Sequence, residues 1–183
     1  MDGRAVLGIV GSHAFMPLAT PVGLRDLPRH DVTYVWRALR KSEEDARTLR
    51  CPNTELLASL SPLQLRKQIL SDVAHGNTHR SMFLHASVDY CKCRVAFLER
   101  GDLYSGLVVR IDISGFQPVI DLSHHSARVQ WLSEAADDTG ADMEALGLAR
   151  IFAEKDGEVL ICELPPPERI CLVDPYTGKP WDL

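Results

Sequence analysis

Asp156-Gly157-Glu158 sets two carboxylates two residues apart, directly before the apolar run Val159-Leu160-Ile161-Cys162. If a strand begins near Asp156, both acids leave one sheet edge on the same face, and Gly157 lets a ligand or another backbone come close. The same residues also suit a solvated Lys-Asp-Gly turn with Glu158 at an exposed strand end, and taken alone they leave both readings open. Arg37 lies within Tyr34-Val35-Trp36-Arg37-Ala38-Leu39. A guanidinium keeps its charge, so from mid-strand it must reach solvent, pair with an acid or bind an anion, and its planar fork suits phosphate. In Phe83-Leu84-His85-Ala86-Ser87, alternation puts Phe83, His85 and Ser87 on one face.

These residues need elements to hold them. Residues 32–39 are β-branched and aromatic, which predicts a strand. Residues 61–76 predict the best-marked helix: Ser61 and Gln64 form a capping box around Pro62, Leu65, Ile69 and Val73 make the apolar stripe, and Gly76 stops the run. A strand at 81–87 leads into a helix whose face carries Val88, Cys91, Val95 and Leu98, with Gly101 as its end. Residues 106–114 alternate, Val109, Ile111 and Ile113 against Val108, Arg110 and Asp112. Two helical pieces broken at Asp137–Asp142 follow over 126–154, and two further strands flank Pro165-Pro166-Pro167-Glu168. Strands on either side of mostly central helices predict a mixed α+β domain. No Gly-rich phosphate loop follows a strand, which argues against a Rossmann or P-loop chain.

The chain of 183 residues fits one domain over 31–183 behind a loosely organised leader, 1–30, that holds Pro17, Pro21 and Pro28. With 45% hydrophobic residues it can bury a real core, and a net charge of −5 gives no general attraction to nucleic acid or anionic membrane. Five cysteines, an odd number, with Cys162 and Cys171 inside apolar runs, fit a reducing compartment better than a disulfide framework. The apolar run Ala5–Val10 is short for a signal peptide, and no segment reaches the ~20 apolar residues of a membrane span, so a soluble cytoplasmic protein is expected. Cys91-Lys92-Cys93 with His124-His125 and Cys51 matches no standard zinc spacing, and on a helix the two thiols would point about 200° apart. No metal is expected. The tail Asp174–Trp181 is expected to cover a sheet edge.

Taken in order, Trp36-Arg37-Ala38, then Phe83–Ser87, then Asp156-Gly157-Glu158-Val159-Leu160-Ile161 followed by prolines and a last strand resemble the ADP-ribosyltransferase fold of the Arg–Ser–Glu type. This is the cholera-toxin-like group of NAD-using enzymes, and the resemblance covers about residues 32–174. It implies a split β-sandwich and, as activity, NAD-dependent mono-ADP-ribosyl transfer to an acceptor, expected to be a protein, or to water. A toxin-like effector delivered into a host cytoplasm would fit the group. In that reading Glu158 faces the positive charge that develops when the nicotinamide–ribose bond breaks, as in glycoside cleavage. Asp156 engages the incoming nucleophile, and Arg37 holds the NAD phosphates. His85 and Ser87 line the cleft and hold Glu158, and Phe83 and Tyr90 lend apolar surface near the nicotinamide or belong to the core. The chain departs from the group where His85 and Ala86 replace a Ser and a Thr and where Asp156 replaces Glu. The alternatives are a catalytically silent NAD-binding or protein-interaction module on the same fold, and a purely structural interaction domain.

Overall fold

Strand β1 (Tyr34–Arg40) stands at the middle of the molecule because its neighbours on both sides are strands. In the computed structural model, which describes residues 24, 27, 30–75, 81–99, 103–133, 140–174 and 176–180, a six-stranded sheet and six α-helices with stated bounds are found among the described residues. The other strands are β2 (Leu84–Ser87), β3 (Tyr104–Asp112), β4 (Val119–Asp121), β5 (Glu158–Ile161) and β6 (Ile170–Val173). The helices are α1 (Lys41–Asp45), α2 (Thr54–Ser59), α3 (Pro62–His75), α4 (Tyr90–Glu99), α5 (His125–Leu132) and α6 (Gly140–Asp156). The sheet order is β4-β5-β2-β1-β3-β6, with every neighbouring pair antiparallel. The mixed α+β class expected from the sequence is therefore what the chain adopts.

The sheet divides at its centre. β1 and β3 pair over most of their length, as do β2 and β5, whereas β1 and β2 share one register pair, Trp36↔Ser87. Packing follows this division. Leu57 of α2, Leu65 and Ile69 of α3, Leu132 of α5 and Ala153 of α6 cover one face of the β4-β5-β2 half around Phe83 and Leu160. On the far side, α4 packs Cys93 and Tyr90 against Ala38, Val108 and Val173 of the β1-β3-β6 half. Between the halves lies a third cluster, Val35, Ile111, Leu84, Val159 and Ile161 among its members, to which no helical side chain belongs among the described residues. Val35, Ile111, Val159 and Ile161 are all fully buried. Strand residues from both halves bury one another there.

Several local expectations hold. Ser61 and Gln64 cap α3 reciprocally, the Ser61 N–H donating to Gln64 Oε1 at 2.9 Å, and Leu65, Ile69 and Val73 are buried. β3 buries Val109 and Ile111 on one side, with Arg110 and Asp112 half-buried on the other. The tail residue Pro180 bridges to Val173 and covers the end of β6.

Others are corrected. The face expected for α4 is wrong: Cys91 and Val95 are exposed and Cys93 is buried, because Asp89 starts the helix by accepting the Cys91 and Lys92 N–H groups, which fixes the rotation of α4 differently. β4 has no counterpart among the expected strands, since three residues are too few for a period to show. The leader, apart from Leu24, Leu27 and His30, and the stops at Gly76 and Gly101 lie outside the described residues; Leu24 and Leu27 are buried in the helical cluster. No helix among the described residues is long and apolar enough to cross a membrane.

The largest correction concerns Asp156 and Glu158, which do not share a strand. Asp156 is the last residue of α6, Gly157 takes φ +60°, and β5 begins at Glu158. A left-handed residue is the usual way to leave a helix abruptly, and here it turns the chain from helix to strand between the two acids. A Cβ at Gly157 would lie 3.2 Å from Val88 Cγ2 and 3.4 Å from Ser87 Oγ. Gly157→Ala is expected to lower stability by at least about 1–2 kcal/mol through left-handed strain. Gly147→Ala, at an exposed site within α6 where a Cβ meets nothing, should instead raise it by about 0.5–1 kcal/mol. Urea unfolding midpoints of the two variants check the opposite signs.

Candidate active site

Where β1 and β2 part, ladder hydrogen bonding stops and the His85 carbonyl is left at the split. The Arg37 guanidinium fills this gap, Nη1 donating to the His85 carbonyl oxygen at 2.6 Å. Its other face meets Glu43 of α1: Nη2 donates to both carboxylate oxygens, at 2.9 and 3.1 Å, and Nε donates at 3.3 Å. Glu43 also accepts the Arg40 and Arg50 backbone N–H groups, each at 2.9 Å. Burial pushes the Glu43 carboxyl up, but the Arg37 charge and these backbone donors outweigh it and leave the group below its ordinary range. Of the three fates open to Arg37, the structure chooses pairing with an acid.

A cleft opens over this seam. Its walls include Trp36, Arg37, His85, Ser87, Asp156 and Glu158, so five of the six predicted site residues meet in one place. Tyr90 does not line it; its ring stands edge-on behind Trp36, centroids 6.4 Å apart, and its hydroxyl donates to the Asp174 carbonyl. Phe83 reaches the cleft wall from the core, where it is almost fully buried.

Glu158 is only 7% exposed. His85 Nδ1 lies 2.7 Å from its Oε1, so the imidazole holds the carboxylate across the β2–β5 pair. Ser87 does not. Although it is the register partner of Glu158, its hydroxyl donates to the Asp156 carbonyl at 2.5 Å and accepts the Asp89 N–H. That hydroxyl is consumed in tying the end of α6 to the start of α4, two backbone ends that would otherwise lack partners. Val88 N–H donates to the Gly157 carbonyl beside it. The close approach that Gly157 permits is thus to the β2–α4 turn.

Behind His85 lie two residues absent from the predicted site. Ser81 Oγ sits 2.7 Å from His85 Nε2 and 2.8 Å from Asp72 Oδ2. Asp72 also accepts the Met82 N–H on Oδ2 and the Gln68 side-chain amide on Oδ1, each at 2.8 Å. Ser81, His85 and Glu158 thereby reproduce the contact order of a Ser–His–acid hydrolase triad. Two facts prevent them from working as one. Ser81 is buried and does not line the cleft, and its hydroxyl already meets a carboxylate that competes for the proton a nucleophile would give to the imidazole. Cys93, also on the cleft wall, is no nucleophile either: burial pushes its thiol up to about 12.

Asp72 carries a signal in the sequence. It falls three residues after Ile69, on the buried stripe of α3, where an acid needs a polar partner. Glu43 and Ser81 carry none, because their roles depend on where the chain returns in space. Away from the cleft, Asp31, Asp121 and His124 bring one ligand atom each within 4.8 Å of one another, all exposed or half-buried, as surface acids often are. Cys51 and Cys91 are exposed singly.

No protein-family model matches the chain, and no curated protein or solved structure was found to match it.

Because Glu43 titrates lower in the folded chain, its contribution to stability is complete above its ordinary value of 4.5 and disappears as the pH falls through the lowered folded value. Stability should therefore drop on acidification below about pH 4.5. Glu43→Gln should remove that share of the acid dependence and cost about 3–5 kcal/mol at neutral pH, since Arg37 keeps its charge without a counter-charge. Urea midpoints across pH for both proteins check the direction and the size.

Proposed function

We propose that the protein is an NAD-dependent mono-ADP-ribosyltransferase of the Arg–Ser–Glu type, with Glu158 as the residue that faces the reacting ribose. The observation that carries this reading is the Glu158 carboxylate, mostly buried and held by an imidazole in a cleft that opens where β1 and β2 part. The short β1–β2 pairing at the centre of the sheet, and the strand residues of both halves that bury one another, support the split β-sandwich that the resemblance implies.

Cleavage of the nicotinamide–ribose bond passes through an oxocarbenium-like state. A fixed carboxylate stabilises that state more than the ground state, in which the ribose bears less positive charge. His85 keeps Glu158 in one orientation, so little reorganisation is needed as charge develops. Arg37 acts chiefly by position: compensated by Glu43, it pins the β1–β2 seam and sets the width of the cleft. The NAD phosphates would meet cations on the walls, Arg40, Arg50 and Lys92 among them, along with the outer face of Arg37. Asp156, at the rim on the end of α6, is placed to receive the acceptor from a different direction than Glu158.

A silent NAD-binding module is the second reading. It is favoured by one observation: Arg37, His85 and Ser87 are all bonded to the protein itself. Nicotinamide release from labelled NAD separates the two. As an enzyme, the wild type releases nicotinamide and Glu158→Gln lowers the rate at least about a hundredfold, the usual scale for removing a transition-state electrostatic partner. Calorimetric binding of NAD with no release from either protein would select the silent module. Neither binding nor release would remove both.

A further inference from the structure

The hydrogens along Asp72, Ser81, His85 and Glu158 can be counted. Asp72 faces two fixed donors, the Met82 N–H and the Gln68 amide, and therefore offers its oxygens as acceptors. Ser81 Oγ has one hydrogen, and it already accepts the Phe83 N–H at 3.1 Å. If Ser81 gave that hydrogen to His85, the 2.8 Å contact with Asp72 would set lone pairs against lone pairs. The hydrogen therefore goes to Asp72, and His85 Nε2 must bring its own hydrogen to Ser81 across 2.7 Å. On the other side of the ring, Nδ1 faces the Glu158 carboxylate at 2.7 Å and must donate there as well.

From this count we infer that Asp72 and Ser81 are positioning residues that hold His85 doubly protonated, so that it donates to Glu158 from one nitrogen and to the buried Ser81–Asp72 pair from the other. The charge balance supports the assignment. Asp72 on α3 supplies a buried negative charge opposite the imidazolium, so the trio Asp72, His85 and Glu158 carries the same net −1 as a lone glutamate. Glu158 is oriented by a charged donor without being neutralised. Two cations also face this region: Arg37 of β1, on the His85 carbonyl and compensated by Glu43 of α1, and Arg50, whose guanidinium donates to the Ser81 carbonyl. Toward this network each donates to a backbone oxygen, and Asp72 and Glu158 are the acids that meet the hydroxyl–imidazole pair directly. The catalytic consequence rests on the proposed transferase activity; the proton count does not.

The test is nitrogen NMR of the full chain with labelled histidine at neutral pH, His85 being assigned among seven histidines by the signals missing from His85→Asn. Both His85 ring nitrogens should appear proton-bearing. In Asp72→Asn the amide oxygen can keep the Met82 and Ser81 hydrogen bonds, but the buried negative charge opposite the imidazolium is gone, so one His85 ring nitrogen should lose its proton and shift to the bare-nitrogen position. A wild-type His85 with one bare nitrogen overturns the inference, as does an Asp72→Asn pattern identical to wild type. If Asp72→Asn does not fold, the wild-type spectrum decides alone. If NAD is turned over, Asp72→Asn should lower kcat about tenfold with KM little changed, a loss of about 1.4 kcal/mol in transition-state stabilisation. If NAD is not turned over, the spectra still fix the protonation state of His85, so the failure of either idea is visible without the other.

Discussion

A guanidinium that cannot shed its proton sits where two central strands part, and much of the molecule is arranged around that fact. Arg37 is 9% exposed, in a place where an unpaired cation would cost several kcal/mol. Glu43 answers the charge, and the geometry of that answer has consequences. The acid is delivered by α1, which follows β1 immediately, so the end of the strand and the start of the helix are locked in one orientation. The remaining guanidinium donor reaches the His85 carbonyl, which has lost its ladder partner because the sheet divides there. One side chain thus satisfies the seam, fixes the neighbour of the candidate catalytic acid and leaves the cleft open. A continuous β1–β2 ladder would close the opening, and an apolar residue at position 37 would leave the carbonyl orphaned at the cleft floor.

The cleft inherits its chemistry from the ends of elements. Glu158 is the first residue of β5, His85 lies on β2 beside it, and Asp156 is the last residue of α6. Placing two acids on opposite sides of one left-handed glycine gives them different surroundings. Glu158 is buried and held by an imidazole, whereas Asp156 stays at the rim with its carbonyl tied to Ser87. Two carboxylates side by side on one strand would repel and tend to share a proton. The turn at Gly157 separates them and lets each serve a different task.

How far the sequence can be read follows from which features are local. The capping box and stripe of α3, the alternation of β3 and the strand status of residues 158–161 rest on near neighbours, and all of them hold. Arg37, His85, Ser87, Asp156 and Glu158 line one cleft, an expectation that comes from the resemblance of the motifs and from no local pattern of residues. What fails depends on contacts that no local window contains. The rotation of α4 is set by Asp89, Asp156 joins the helix because α6 runs on to the glycine, and Ser87 turns away from Glu158 toward the end of that helix. Glu43 is invisible as the partner of Arg37 until α1 folds back on β1. Asp72 alone leaves a trace, an acid on the buried side of an amphipathic helix.

The group that the motifs resemble carries a serine where this chain has His85, and under the proposed function that difference bears on why the buried acid is needed. A hydroxyl brings one hydrogen and can rotate to aim it at a carboxylate. An imidazole donates only from a nitrogen that bears hydrogen, and in a neutral ring the other nitrogen is an acceptor. Replacing the hydroxyl with the ring therefore shifts the burden of orienting Glu158 onto whatever faces the far nitrogen. In this chain that is Ser81, itself fixed by Asp72, so a residue of α3 bears on a hydrogen bond of Glu158 in the cleft. The extra polar residues are buried, but each has a partner, as a network must if it is to fix one arrangement. The imidazole at position 85 and the acid on the apolar stripe of α3 are thus two ends of one hydrogen-bonded arrangement.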